Sequence, residues 1–188
     1  MITGIILASG YSRRMKKDKL IMNIKDKPMV EWVIKAAVDS KLDEVILVYR
    51  TVKVKEIGTK YGIKTLYNPK AYLGQSEGLK LGVRYAQNSS AYMFLVGDMP
   101  YINSQLIDKL IDEYKKNLDS LIVPFYNGKQ GMPTIFPSLY RESLLNTSGD
   151  KGGRDIIKEN FNSVKKVYIK EGKLGLDIDN LEDMKKIK

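Results

Sequence analysis

Ile2-Thr3-Gly4-Ile5-Ile6-Leu7-Ala8-Ser9-Gly10-Tyr11-Ser12-Arg13-Arg14-Met15 opens the chain, and its reading governs the rest. Residues 2–7 form a short apolar run that stops at a Gly/Ser turn, the pattern of a buried strand. Working outward, strand and amphipathic helix alternate. A helix is predicted from about Pro28, with Met29, Trp32, Val33 and Ala36 on one face. Strands at 45–48 and 63–67 bracket a helix at 52–61, and a helix over 76–87 leads to a strand at 92–96. A helix over 103–116 follows, capped by Asn103, with Leu106, Ile107, Leu110 and Tyr114 facing inward. This alternation predicts an α/β fold whose mainly parallel sheet is covered by helices on both faces. After a strand at 121–125 the pattern changes: Asn127-Gly128 signals a turn and 132–136 reads as a returning strand, giving a mixed or antiparallel C-terminal edge. Short helices at 138–145 and 152–160, then strands near 164–169 and 176–178, complete one domain spanning 1–188.

Composition narrows the chemistry. The 188 residues, 43% of them hydrophobic, suffice for one substantial core. Cysteine and histidine are both absent, which excludes disulfides, thiolate and imidazole metal sites, and histidine-based triads. Catalysis must then rest on Asp, Glu, Lys, Arg, Tyr, Ser and a hard, oxygen-ligated ion such as Mg2+. The formal charge of +10 is compatible with a polyanion, but the lysines are scattered over nearly every predicted helix, which disfavours a nucleic-acid partner. The exception is the cluster Arg13, Arg14, Lys16, Lys17 and Lys19. No apolar stretch approaches the ~20 residues that span a bilayer. Residues 1–8 are too short for a signal peptide and lack a basic leader, so a cytoplasmic protein without membrane partners is expected.

In an open α/β sheet, ligands sit beyond the carboxyl ends of the strands. After the first strand, Leu7-Ala8-Ser9-Gly10 can turn backbone N–H groups toward phosphate oxygens while Arg14 and Lys19 neutralise charge; the alternative is a flexible basic surface loop. After the fourth, Gly97-Asp98-Met99-Pro100 places a carboxylate where a metal can be held, or where Asp98 merely caps a turn. Strand alternation would put Asp177 and Asp179 on one face, toward the same site, although Asp179 can equally cap the last helix. Asn68, Gly74 and Ser76 lie between, Ser76 as the cap of a helix whose amino end faces a ligand. The segments 128–133 and 149–154 supply further backbone donors and cations for an acceptor, or are ordinary loops.

Taken together, these motifs resemble the MobA-like nucleotidyltransferase superfamily. The shared pattern is Leu7-Ala8-Ser9-Gly10-Tyr11-Ser12-Arg13-Arg14-Met15 with Lys19, then Asn68, Gly74 and Ser76, Gly97-Asp98-Met99-Pro100, Gly131-Met132-Pro133, Gly149-Asp150-Lys151-Gly152 and Asp177-Ile178-Asp179. It extends in order over nearly the whole chain and looks most like the molybdenum cofactor cytidylyltransferases. The resemblance implies a three-layer Rossmann-like fold, CTP and Mg2+, and transfer of CMP to the terminal phosphate of molybdenum-carrying molybdopterin, with a molybdenum hydroxylase as recipient of the product. It also implies a nucleotide-binding half over 1–100 and an acceptor-binding half over 101–188. Leu7, Ala8, Ser9, Gly10, Arg14, Lys19, Asn68, Gly74, Ser76 and Asp98 would serve the nucleotide, with Arg14, Lys19 and Asp98 as the catalytic groups. Asp98 with Asp177 or Asp179 would hold the metal, and Gly131, Pro133, Gly149, Asp150 and Gly152 would take the acceptor. Departures are Lys16 in place of the usual glycine, Ser9 where cytidylyl enzymes tend to have alanine and guanylyl enzymes glycine, and Met132 where many relatives have histidine. Competing readings are a guanylyltransferase, a sugar-phosphate nucleotidyltransferase, and a non-catalytic nucleotide-binding regulator or chaperone.

Overall fold

The computed structural model describes residues 1–11, 18–150, 152–180 and 183. In chain order the elements are β1 (Ile2–Ala8), β2 (Asn23–Ile24), β3 (Lys27–Pro28), α1 (Met29–Val38), β4 (Glu44–Tyr49), α2 (Val52–Lys60), β5 (Lys64–Tyr67) and α3 (Gln75–Tyr85). There follow β6 (Ala91–Val96), α4 (Ser104–Lys116), β7 (Leu121–Tyr126), β8 (Lys129–Gln130), β9 (Thr134–Pro137), α5 (Arg141–Leu145), α6 (Arg154–Glu159) and β10 (Val164–Ile169). The main sheet has the order β10-β7-β9-β6-β1-β4-β5, with β8 on β7. β1 pairs in parallel with β4 and β6, β4 with β5, and β7 with β10, while β9 runs antiparallel between β6 and β7.

Period-two alternation builds the two cores. Ile6, Leu47, Met93 and Leu95 point to one side, where Val30, Val33 and Ile34 of α1, Val54 of α2, and Leu106, Ile107 and Leu110 of α4 cover them. Ile5, Ile46, Val48, Tyr92 and Phe94 point to the other, under Leu79 and Val83 of α3, Leu144 of α5, and Ile156 and Ile157 of α6. Each such apolar side chain contributes about 1.5–3 kcal/mol on burial, so a strand slipped by one residue would forfeit both layers. The α/β expectation, with its mainly parallel sheet and mixed C-terminal edge, is therefore met.

Local chemistry explains the details. Asn103 caps α4, its Oδ1 accepting from the Leu106 N–H at 2.9 Å. Asn127 and Gly128 both have positive φ (49° and 78°), as a two-residue hairpin turn requires, and they fold β8 back on β7.

Two expectations need correction. Residues 176–178 form no strand: their backbone is irregular and is tied across to the site by the Ile178 N–H donating to the Asp98 carbonyl at 3.0 Å. Ser76 does not cap α3: Gly74 holds that position at φ 115°, and Ser76 lies one residue inside the helix. Among the described residues no helix is long and apolar enough to cross a membrane.

Candidate functional site

The chain starts in the middle of the sheet, steps outward through β4 and β5, and returns through α3 to place β6 on the other side of β1. This reversal of strand order opens a crevice at the carboxyl ends of β1 and β6. A cavity of about 690 Å³ occupies it, large enough for a nucleotide-sized ligand.

On the β1 side, Leu7, Ser9, Gly10 and Tyr11 form part of the wall. Ser9 is fixed from behind: the amide of buried Asn68 donates to its Oγ at 3.0 Å, while the Asn68 backbone N–H extends the β4–β5 register by donating to Tyr49. Lys19 starts the short 3-10 helix Lys19–Ile21. That turn is anchored by Asp18, which accepts from the Leu20 N–H at 3.3 Å and the Thr51 hydroxyl at 2.8 Å.

Across the cavity, Asp98 follows β6. Lys19 Nζ lies 2.7 Å from Asp98 Oδ2, 3.2 Å from Asp179 Oδ1 and 2.9 Å from the Ile178 carbonyl. The Lys19 and Asp98 side chains are only 13% and 22% exposed, so water screens the pair weakly. Burial draws the Lys19 pKa down, but Asp98 and then Asp179 outweigh it and leave it raised. Ile178 is the anchor of the C-terminal segment. Its side chain is buried with Ile24 and Met29, its N–H bonds Asp98, and the acidic residues on either side, Asp177 and Asp179, both line the cavity. Burial first, then the charge of Asp179 and of Asp98, raises the Asp177 pKa. Among the described residues, no three acidic side chains form a group able to hold a metal by themselves.

The opposite wall belongs to later segments. The N–H groups of Gln75 and Ser76 at the start of α3 are taken by Asp150 Oδ1 (3.1 Å) and the Gly149 carbonyl (3.0 Å), so the loop at 149–150 seals that helix end. Tyr126, ending β7, donates its hydroxyl to the Met132 carbonyl at 2.6 Å, and burial pushes its pKa well up. Its ring also packs against Gly131 and Gly175, where a Cβ would come within 2.7 Å of ring carbons at the first position and closer at the second. Leu79, Phe94, Phe136 and Ile157 form an apolar floor, and Arg154 adds a cation to the rim.

Of the residues singled out from sequence, Leu7, Ser9, Gly10, Lys19, Gly74, Asp98, Gly131, Asp150, Gly152, Asp177 and Asp179 all line this one cavity. Arg14 lies outside the described residues. Ala8, Asn68, Ser76 and Pro133 stand behind the wall instead, and Gly149 is exposed outside it. Ala8, Asn68 and Ser76 are buried, at 3%, 2% and 0% exposure, and Asn68 acts on the cavity only through Ser9. The Ser76 hydroxyl is buried with no hydrogen-bond partner among the described residues. Pro133 is buried beside the wall residue Met132, and the Gly149 carbonyl is engaged by α3. Sequence reading missed the apolar floor and the ordering role of Tyr126. Phe94 was legible in principle, since alternation along β6 sets it on the same face as Val96, the residue leading into Gly97 and Asp98.

A family model described as MobA-like NTP transferase domain matches residues 4–165. The bifunctional protein GlmU of Acetivibrio thermocellus is 30% identical over 97% of this chain and 39% of its own length. A probable molybdenum cofactor guanylyltransferase of Natranaerobius thermophilus is 31% identical over 68% of this chain and 62% of its own length. The chain thus spans less than two thirds of each of these relatives. Among solved structures, Rv0371c of Mycobacterium tuberculosis superposes with a TM-score of 0.86 at 19% identity, covering 99% of this chain and 96% of that one. The same protein in complex with manganese superposes at 0.82 and 19% identity, covering 99% and 97%. These likenesses bear on the fold.

Proposed function

The chain belongs to the MobA-like NTP transferase family, and we propose that it is a metal-dependent nucleotidyltransferase that moves CMP from CTP to the terminal phosphate of molybdenum-carrying molybdopterin, releasing pyrophosphate. The observation that carries this reading is the convergence of Ser9, Gly10, Lys19, Asp98, Asp177 and Asp179 on one cavity at the strand-order reversal. In the reaction, an oxygen of the acceptor phosphate attacks the α-phosphorus in line. The bond from that phosphorus to the β-phosphate bridging oxygen breaks, and pyrophosphate departs with the electron pair. A phosphate dianion has no proton to surrender, so the absence of histidine is no handicap; positioning and charge neutralisation do the work.

The donor set fits a hard divalent ion. Asp98 with Asp177 or Asp179 would hold Mg2+, and the carboxylates of Asp98 and Asp179 already gather around a cation, the Lys19 ammonium. Magnesium is ordinarily held by one or two carboxylates plus substrate phosphates, so a three-acid cage is not needed. When bound, the ion would neutralise charge on the phosphates. Within the chain, the Ser9-Gly10 turn would cradle the triphosphate, and Lys19 and Arg14 would offset its charge. The half over 1–100 would thus serve the nucleotide. The half over 101–188 would serve the acceptor through Gly131, Asp150 and Gly152, with Arg154 available to its phosphate.

Use of GTP is a second reading, favoured by the relative named a probable molybdenum cofactor guanylyltransferase. Pyrophosphate release measured for the four common nucleoside triphosphates against molybdopterin and a set of sugar phosphates tests both. Turnover with CTP and molybdopterin supports the first reading, and turnover with GTP supports the second. Triphosphate binding without turnover on any acceptor would refute both and favour a non-catalytic binder.

A further inference from the structure

We propose that Lys19 occupies the metal position of the nucleotide-free protein, so that a divalent ion gains its carboxylates only when a triphosphate arrives to take the ammonium. The inference rests on the metal role given above to Asp98.

Three pieces of backbone, distant in sequence, meet at the Lys19 ammonium. Asp98 follows β6, where the Gly97 N–H donates to Leu7 at 3.1 Å; Asp179 is carried by the segment that Ile178 ties to Asp98; and Lys19 stands on the turn held by Asp18 and Thr51. Oxygens of Asp98, of Asp179 and of the Ile178 carbonyl all lie within bonding distance of Nζ, whose N–H groups donate to them. This is the coordination of a bound cation, supplied by the chain itself. An ion needing oxygens at about 2.0–2.1 Å cannot share Asp98 Oδ2 and Asp179 Oδ1 with an ammonium on the same two atoms, so the two cations compete. Repulsion between them in a weakly screened pocket adds to the exclusion.

A triphosphate changes the balance because it brings several negative charges to the same wall. The ammonium then has another anionic partner, the carboxylate oxygens are released, and metal and nucleotide each favour the other's binding. Lys19 would thus offset the charge of the Asp98 and Asp179 carboxylates when the site is empty and bar unproductive metal. A lysine that was only a structural tie would show no such coupling.

The test is Mn2+ binding to the full chain without nucleotide, followed by the electron paramagnetic resonance signal of free Mn2+. Wild type is expected to bind weakly, and Lys19→Met about tenfold more tightly or better, since its carboxylates lose their resident cation. Lys19→Arg, which keeps the charge, should stay as weak as wild type, and adding CTP or GTP should tighten Mn2+ binding in wild type far more than in Lys19→Met. Should Lys19→Met fold poorly, Lys19→Gln set against Lys19→Arg makes the same comparison. Equal Mn2+ affinity in wild type and Lys19→Met, or none in either, would overturn the inference while leaving the proposed reaction to its own assay. A gain that survives in the Lys19→Met/Asp98→Asn double variant would place the metal elsewhere and overturn the inference together with the assigned metal site.

Discussion

Gly175→Ala should cripple the site without touching any residue assigned to chemistry. A Cβ at Gly175 would lie 2.5 Å from Tyr126 Cδ2 and 2.8 Å from Cδ1, against ordinary contact of 3.4 Å or more, so one side must recede by about 1 Å. The ring cannot give way cheaply, because its hydroxyl is fixed on the Met132 carbonyl at 2.6 Å and its Cδ2–Cε2 edge also packs against Gly131. The displaced partner is therefore the segment 175–179, which carries Asp177 and Asp179. A misplacement of about 1 Å can cost on the order of 100-fold in rate, and overpacking of this kind costs about 1–3 kcal/mol of stability. Steady-state pyrophosphate release, read beside the urea midpoint, gives both quantities. Turnover within twofold of wild type at unchanged stability would show that the Tyr126 contact does not set the position of the acidic segment.

Asp98→Ala should lower pyrophosphate release by about 100-fold or more while leaving the circular dichroism spectrum unchanged, since Asp98 is not a core residue; near-normal turnover would remove it from the site. Asp150→Ala takes away the acceptor for the Gln75 N–H and should cost about 1 kcal/mol in urea unfolding, with a higher KM for the acceptor than for the nucleotide; an unchanged KM for both would detach this loop from binding. Tyr126 has a folded pKa above its unfolded value of 10.0, so the stability it confers is complete below that pH and is lost as the pH rises further, where the unfolded chain ionises first. Tyr126→Phe should accordingly be less stable by about 1 kcal/mol near neutrality, through the lost bond to Met132, yet lose less stability between about pH 8 and about pH 11 than wild type does, as urea titrations at the two pH values would show.

What could be read from the sequence, and what could not, divides by distance along the chain. The alternation of apolar runs with amphipathic helices fixes local structure over a few turns, so β1, β4, β6 and α4 fall where the pattern places them, and Asn103 caps its own helix. Asn127-Gly128 likewise encodes a positive-φ turn in two residues. The errors involve partners far apart. Ser76 looked like a cap because serine before an apolar run usually is one, but Gly74 holds that position and the first N–H groups of α3 donate to Gly149 and Asp150, which are remote in sequence. Alternation of Leu176, Asp177 and Ile178 mimicked a strand, yet among the described residues the segment pairs with no strand and is tied in through the Ile178 N–H and side chain. Lys19 and Asp98 were each legible from their motifs; their contact, and the resulting contest between ammonium and metal, needed the fold.

The most direct test of the central claim is a crystal structure of the protein grown with CTP and Mn2+, with the metal located by its anomalous scattering. The expected result is a triphosphate seated over Ser9 and Gly10, a manganese peak on a carboxylate oxygen of Asp98, and the Lys19 ammonium turned from Asp98 to phosphate. A nucleotide bound away from the Ser9-Gly10 turn, or a manganese peak far from Asp98, would contradict it.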